Sequence, residues 1–247
     1  MPSPDTPHAA DFRASPNHGE RLRPISSLIL HYTGMPTAAA ALALLTSAES
    51  QVSSHYFVDE DGTILQLVPE ARRAWHAGRS FWAGETDLNS ASIGIEIVHP
   101  GHDDPRPFPD RQIEAVAALC RDICGRQGIA SRRVLGHSDI AIGRKIDPGE
   151  FFPWKALAEQ GVGHYVAPAP IVGGAALEAG ASGEQVTELQ RALADYGYRI
   201  DVSGAYDAAS EGVVAAFQRH FRPTLVDGRA DSSTIATLRA LTEGIGA

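Results

Sequence analysis

A stretch that suits neither helix nor strand divides this chain. From Gly161 to Leu177 it passes through Gly161, Gly163, Pro168, Pro170 and the pair Gly173-Gly174, with small residues between them. Proline removes a backbone donor, and glycine weakens any regular element, so the run reads as a linker. Beyond it, Val186, Leu189, Gln190 and Leu193 fall on one helical face, and helical runs follow at Val213 to His220 and Ser233 to Leu241. These make a three-helix module of about the smallest size that folds unaided. Before the linker the pattern changes. Ser27-Leu28-Ile29-Leu30 and Ile93 to Val98 are short apolar runs that suit buried strands, and His55 to Val58, a turn at Asp59-Glu60-Asp61-Gly62, and Thr63 to Val68 suit a hairpin. Ala38 to Leu45 and Pro109 to Gln127, the latter closed by Gly128, read as helices. The expected fold is therefore α/β: a mixed central sheet flanked by helices over residues 23–160, a linker at 161–178 and a small three-helix domain at 179–247. Residues 1–22, polar and rich in proline and histidine, are expected to form a flexible lead.

Bulk properties narrow the partners. The chain of 247 residues is 43% hydrophobic and 21% charged, which is ordinary for a soluble protein with a real core. Its formal net charge of -9 argues against a nucleic-acid binder, which needs a basic footprint to displace counterions from phosphates. The same charge disfavours attachment to anionic lipid. No uncharged apolar segment is long enough to span a bilayer, and no basic start is followed by an apolar run. The expectation is a monomer, cytoplasmic as the sequence stands, or periplasmic if a leader has been cut from it. Cys120 and Cys124 share one face of the long helix and lack partners at structural-metal spacing, so they read as core residues.

Several residues could carry chemistry. His31 ends the first apolar run, His137 ends the strand-like Val134-Leu135, and Asp147 stands before Pro148, which biases it to an extended backbone. Two imidazoles and a carboxylate form a mixed set that suits zinc and leaves a fourth position open, as in catalytic sites. The plainer account makes His31 and His137 satisfied core histidines and Asp147 a turn cap. Glu96 interrupts the apolar run Ile93-Gly94-Ile95-Glu96-Ile97-Val98. Burial there would raise its pKa toward that of a useful general base; on an edge strand it would simply face water. Lys145, two residues before Asp147, shares its face in an extended segment and could meet a developing oxyanion. Trp75-His76-Ala77-Gly78, with Phe81 and Trp82, gathers groups that stack on sugars and peptides or close a small core. His99 and His102, beside a Pro-Gly turn, read as surface loop residues.

Taken together, Leu30-His31-Tyr32-Thr33, Val52-Ser53-Ser54-His55-Tyr56, Trp75-His76-Ala77-Gly78, Ser92-Ile93-Gly94-Ile95-Glu96 and His137 through Pro148 resemble, in order, the motifs of type 2 N-acetylmuramoyl-L-alanine amidases. These are relatives of phage T7 lysozyme and of peptidoglycan recognition proteins. Phe217-Gln218 and Phe221-Arg222-Pro223-Thr224-Leu225, followed by Asp227-Gly228, look like the peptidoglycan-binding module that follows this domain in two-domain lipoprotein amidases of Gram-negative bacteria. The resemblance implies one Zn2+ ion held by His31, His137 and Asp147, with Glu96 and Lys145 catalytic. It implies substrate contacts from Trp75, His76, Tyr32 and His55. The implied reaction is hydrolysis of the lactyl-amide bond between (anhydro)MurNAc and L-Ala in peptidoglycan or muropeptides. Glu96 would take a proton from water and pass it to the leaving nitrogen, and Lys145 would hold the oxyanion.

Departures mark the limits of the resemblance. In T7-type members a cysteine supplies the third ligand where this chain has Asp147, and Ser54 stands where they carry a catalytic tyrosine. The export signal and lipid-attachment cysteine of the lipoprotein relatives are missing from this sequence. Ser203-Gly204 replaces the commoner Asp-Gly, and Ser210 a threonine, in the second module. That module is thus either a glycan binder or a rigid helical cap packed on the catalytic domain. Two rival functions share the residues: a non-catalytic peptidoglycan sensor, and a zinc peptidase acting within the stem peptide.

Overall fold

The computed structural model describes residues 3–243; the outermost residues of the expected lead (1–2) and of the C-terminal module (244–247) lie outside the described residues. In chain order the elements are β1 (Asp11–Phe12), β2 (His18–Glu20), β3 (Ser27–Tyr32), α1 (Ala38–Thr46), β4 (Tyr56–Val58), β5 (Ile64–Gln66), β6 (Arg72–Ala74), α2 (Leu88–Ala91), β7 (Ser92–Ile97), α3 (Asp110–Gln127), β8 (Val134–Gly136), α4 (His137–Ile140), α5 (Trp154–Glu159), α6 (Glu184–Tyr196), α7 (Ala208–Phe221) and α8 (Ser232–Thr242). Six strands form a mixed sheet in the order β1-β5-β4-β7-β3-β8; β4 and β5 are the antiparallel hairpin, and the remaining pairs are parallel. The helices pack on the faces of this sheet, as the alternation of strand and helix patterns implied.

Side-chain alternation along the central strands gives the sheet two different faces. Leu28 and Leu30 of β3 join Ile93, Ile95 and Ile97 of β7 against Ile113, Val116, Ala117, Cys120 and Ile123 of α3, all buried. Each leucine, isoleucine and valine of this set contributes roughly 1.5–3 kcal/mol relative to leaving it in water. Cys120 belongs to this core, as its helical position implied. The opposite face presents Ile29 and Leu135, which pack with Ala77, Trp82, Ile140 and the apolar faces of α6 and α7. One core therefore runs from the sheet into the C-terminal module.

The N-terminal segment differs from the expected flexible lead. Strand β1 pairs in parallel with β5 and β2 pairs antiparallel with β6. The Ser15 hydroxyl donates to Leu45 O at 2.6 Å, and the Asn17 amide donates to Ser47 O and Val52 O at 2.7 and 2.8 Å. These anchors are polar side chains meeting backbone carbonyls, so no apolar periodicity announced them. The expected linker is also pinned. Val162 is buried, Ala169 N–H donates to the Thr237 hydroxyl at 3.0 Å, and Ser233 donates to Ala169 O at 2.6 Å. Among the described residues no helix is long and apolar enough to cross a membrane.

Candidate metal and catalytic centre

Parallel pairing places the site at the C-terminal ends of three adjacent strands. Register matches His31 of β3 to Glu96 of β7, and Leu30 to Gly136 of β8, the residue just before His137. Asp147 reaches the same place from the loop after α4, where its carbonyl accepts from Ser138 N–H at 2.9 Å. The carboxyl ends of strands in open α/β sheets are where such clefts form. His31 Nδ1 lies 2.9 Å from His137 Nδ1 and 3.0 Å from Asp147 Oδ2, and His137 Nδ1 lies 3.1 Å from that oxygen. All three residues are buried.

The partners behind the two histidines settle which nitrogens face inward. His137 Nε2 lies 3.1 Å from Ala77 O, an acceptor only, and 3.4 Å from an Arg144 nitrogen that already donates to that carbonyl; the shorter contact places the proton on Nε2 and turns an Nδ1 lone pair to the centre. On the other side the Ser92 hydroxyl donates to Leu88 O and is left to accept from His76 Nε2 at 3.3 Å. The His76 Nδ1 is then an acceptor for His31 Nε2–H at 3.0 Å, which leaves His31 Nδ1 bare. Burial and the neighbouring His137 lower the His31 pKa to about 4 against the pull of Asp147, so His31 is neutral at neutral pH. Two lone pairs and one anionic oxygen thus converge within about a bond length of a common point, an arrangement that repels itself unless a cation sits there. Two imidazole nitrogens and one carboxylate oxygen are a donor set for a divalent transition-metal ion.

Glu96 stands beside this trio. Its Oε2 is buried and has no hydrogen-bond partner among the described residues. Burial, reinforced by the Asp147 carboxylate and only partly opposed by Lys145, raises its pKa well above the ordinary value. Lys145 is exposed, and it shares with Tyr32, Trp75, Glu96 and the trio the wall of a cleft of about 400 Å³. Tyr32 is half-buried, and its hydroxyl lies 3.0 Å from His102 Nδ1. The cleft therefore holds the expected ligands, both expected catalytic groups, and the Trp75 and Tyr32 contacts.

The two remaining expected contacts, His55 and His76, are buried. His55 is fully buried beneath the sheet: its Nδ1 accepts from Gly94 N–H at 2.9 Å, and its Nε2 lies 2.9 Å from an Arg21 nitrogen. Burial and Arg21 lower its pKa to about 3, and it is not among the residues that line the cleft. His76, at 9% exposure, lines the same cleft, and its Nδ1 accepts from His31 Nε2–H at 3.0 Å, so it orients His31. Gly94 makes room for it, since a Cβ there would stand 2.5 Å from the His76 ring. His99 is not a surface residue: it is buried and stacked on Phe108, with ring centroids 4.2 Å apart. His102 bridges Tyr32 and Glu150, at 3.0 Å from each. Trp82 closes a core with Tyr196 and Tyr198.

Three supporting residues escaped the sequence reading. Asn89 Oδ1 accepts from His76 N–H and Ala77 N–H at 2.9 and 2.7 Å, which fixes the loop whose carbonyl orients His137. Arg144 donates to Ala77 O at 2.6 Å and Arg79 O at 2.9 Å, bracing the same loop. Arg21 donates to Glu70 O and Arg72 O, both at 2.8 Å. Only Arg144 carried a signal, since it stands inside the motif that holds Lys145 and Asp147.

Comparison with known proteins places these features in a wider set. Residues 21–150 match a family model described as N-acetylmuramoyl-L-alanine amidase, and residues 182–238 match a peptidoglycan binding domain. The chain is 40% identical over 235 residues to N-acetylmuramoyl-L-alanine amidase AmiD of Escherichia coli (strain K12), covering 90% of this chain and 84% of that protein. It is 39% identical over 107 residues to 1,6-anhydro-N-acetylmuramyl-L-alanine amidase AmpD of the same strain, covering 43% of this chain and 57% of that one. Among solved structures, AmiD from E. coli in complex with the substrate anhydro-N-acetylmuramic acid-L-Ala-D-gamma-Glu-L-Lys superposes with a TM-score of 0.76 at 39% identity, over 90% of each chain. AmpDh3 from Pseudomonas aeruginosa in complex with anhydromuramic pentapeptide gives 0.73 at 34% identity, over 95% of this chain and 96% of that one.

Proposed function

Because the chain belongs to the N-acetylmuramoyl-L-alanine amidase family, we propose that it hydrolyses the lactyl-amide bond between N-acetylmuramic acid, or its 1,6-anhydro form, and the first L-alanine of a stem peptide, with zinc as its metal. The observation that carries the reading is the unpartnered, buried oxygen of Glu96 beside three converging metal donors in one cleft. A base with no structural partner, kept within reach of a metal's donors, suits a hydrolase better than a binder.

His31, His137 and Asp147 would hold the zinc, which when bound supplies a Lewis acid for the lactyl carbonyl and acidifies water. The chain's own groups do the rest. Glu96, whose burial raises its pKa and so makes its carboxylate more basic than an ordinary one, takes a proton from the attacking water. It then delivers that proton to the alanine nitrogen as the carbon–nitrogen bond breaks, releasing a lactyl carboxylate and a free peptide amine. Lys145, exposed on the cleft wall, faces the oxygen that gains charge. Tyr32 and Trp75 offer amphipathic surface to sugar or peptide.

Mass spectrometry of products from zinc-loaded protein and a muramyl tripeptide, alongside its 1,6-anhydro counterpart, tests the reading. Free tripeptide and intact sugar are expected. Cleavage inside the peptide would make the protein a peptidase, and saturable binding without cleavage would make it a sensor.

A further inference from the structure

Two residues of the C-terminal module reach a carboxylate that lies two positions from a metal-binding histidine. Asp139 sits in α4, the single turn that begins at His137, and is fully buried. Its Oδ2 accepts from Gly136 N–H at 2.7 Å, a bond made within the sheet domain. The other two partners come from beyond the linker: the Tyr198 hydroxyl donates to Oδ1 at 2.7 Å, and His220 Nδ1 lies 2.7 Å from Oδ2. Both rings are held in place. His220 stacks on Trp154 with centroids 3.7 Å apart, and Tyr198 meets Trp82 edge-on at 4.8 Å. The module also grips the cleft-side loop directly. Gly197 O accepts from Ala83 N–H at 2.8 Å, and a Cβ on Gly197 would stand 2.7 Å from the Trp82 ring.

The turn that Asp139 occupies controls two of the three donors. His137 is its first residue, and the N–H of Ser138 holds the Asp147 carbonyl at 2.9 Å. A buried carboxylate that loses two of its three donors must move or take on water, since leaving it unpaired is costly. Either response tilts the turn and with it the His137 ring. From this geometry we propose that the C-terminal module is a working part of the metal centre, with Tyr198 and His220 as positioning residues that lock Asp139 and so hold His137 and Asp147 in binding geometry. This goes beyond a glycan-binding accessory role and rests on the metal-centre reading above. Outer partners of metal ligands change metal affinity without touching the ion, by roughly 10–100-fold.

The test uses the full chain. Zinc dissociation constants are measured by competition with a chromophoric chelator for wild type, Tyr198→Phe, His220→Phe and the double variant, well below their unfolding temperatures. Phe keeps an aromatic ring at either position but removes the donor. Affinity should weaken about ten-fold in His220→Phe, further in the double variant, and recover in part in His220→Asn, whose amide can replace the Nδ1 donor. The visible spectrum of cobalt-loaded protein should change in the same order. Thr237→Val, which loosens the linker from α8 without approaching Asp139, should lower thermal stability and leave zinc affinity unchanged. Affinities within two-fold of wild type in folded Tyr198→Phe and His220→Phe would overturn the proposal, and the mild Tyr198→Phe decides it alone should the others fail to fold. Wild type that does not hold zinc would instead take down the metal-centre reading itself.

Discussion

Two glutamates with buried carboxylate oxygens, one on the sheet and one in a loop beside it, have opposite fates. Glu70, in the loop after β5, is saturated with partners: Tyr56 donates to Oε1 at 2.6 Å, Arg126 spans both oxygens at 2.8 Å each, and Gln127 donates to Oε2 at 2.6 Å. Burial alone would raise its pKa, but these donors outweigh it and hold the carboxyl below the ordinary value. Glu96 is buried just as firmly at its Oε2 and has no such partner, so burial wins and its pKa rises. The difference separates a carboxylate that ties β4 to α3 from one kept available for a proton. A buried acid that its own fold does not satisfy is a candidate for chemistry.

That contrast is broken most directly at the cleft. His137→Ala should abolish zinc binding, read by metal analysis after dialysis, and with it all turnover. Full metal occupancy would remove His137 from the ligand set. Glu96→Gln should keep the metal and the fold yet lose about 10²–10⁴ in kcat, the usual worth of a general base. If Glu96→Gln turns over like wild type with metal bound, an unsatisfied carboxylate here is not a functional mark. At the other end of the contrast, Glu70→Gln should leave kcat and zinc affinity alone while lowering stability by roughly 1–3 kcal/mol, since Arg126 and Tyr56 lose a buried acceptor but keep some access to water. Denaturant melts measure it, and an unchanged midpoint would mean that the Glu70 network is ornamental.

How much of this could be read from residues alone depends on the range of the interaction. Apolar runs ending at His31 and at Val134-Leu135, and a glutamate inside an apolar strand, are local patterns, and the parallel sheet turned each into a neighbour of the others. The hairpin and the three C-terminal helices were likewise legible from turn residues and helical spacing. The roles of His55 and His76 were not. Both stand in cleft-side motifs, but which ring points at solvent depends on Gly94, whose missing Cβ admits His76, and on Arg21, which comes from a segment that looked unstructured. Asp139 stood in view inside the motif, yet its donors lie 59 and 81 positions away in another module. Polar anchors of that kind follow no period, so only the folded chain reveals them.

The smallest and sharpest effect lies in how the two glutamates respond to pH. For Glu70 the folded-state pKa is depressed below 4.5, so the unfolded chain binds the proton more readily. Its contribution to stability is therefore present above that value and is lost as pH falls through the folded pKa. Glu96 has the reverse sign. Its folded pKa is raised, so the metal-free protein is destabilised progressively as pH climbs from 4.5 toward the raised value, and the penalty persists above it. Urea midpoints of metal-free wild type, Glu70→Gln and Glu96→Gln, taken between about pH 4 and pH 8, should then diverge in opposite directions. At neutral pH Glu70→Gln should fall below wild type and Glu96→Gln should rise above it, with both gaps closing toward the acid end. Two gaps of the same sign would mean that the carboxylates differ in position but not in electrostatic kind, and the distinction between a structural and a chemical glutamate would have to rest on kinetics alone.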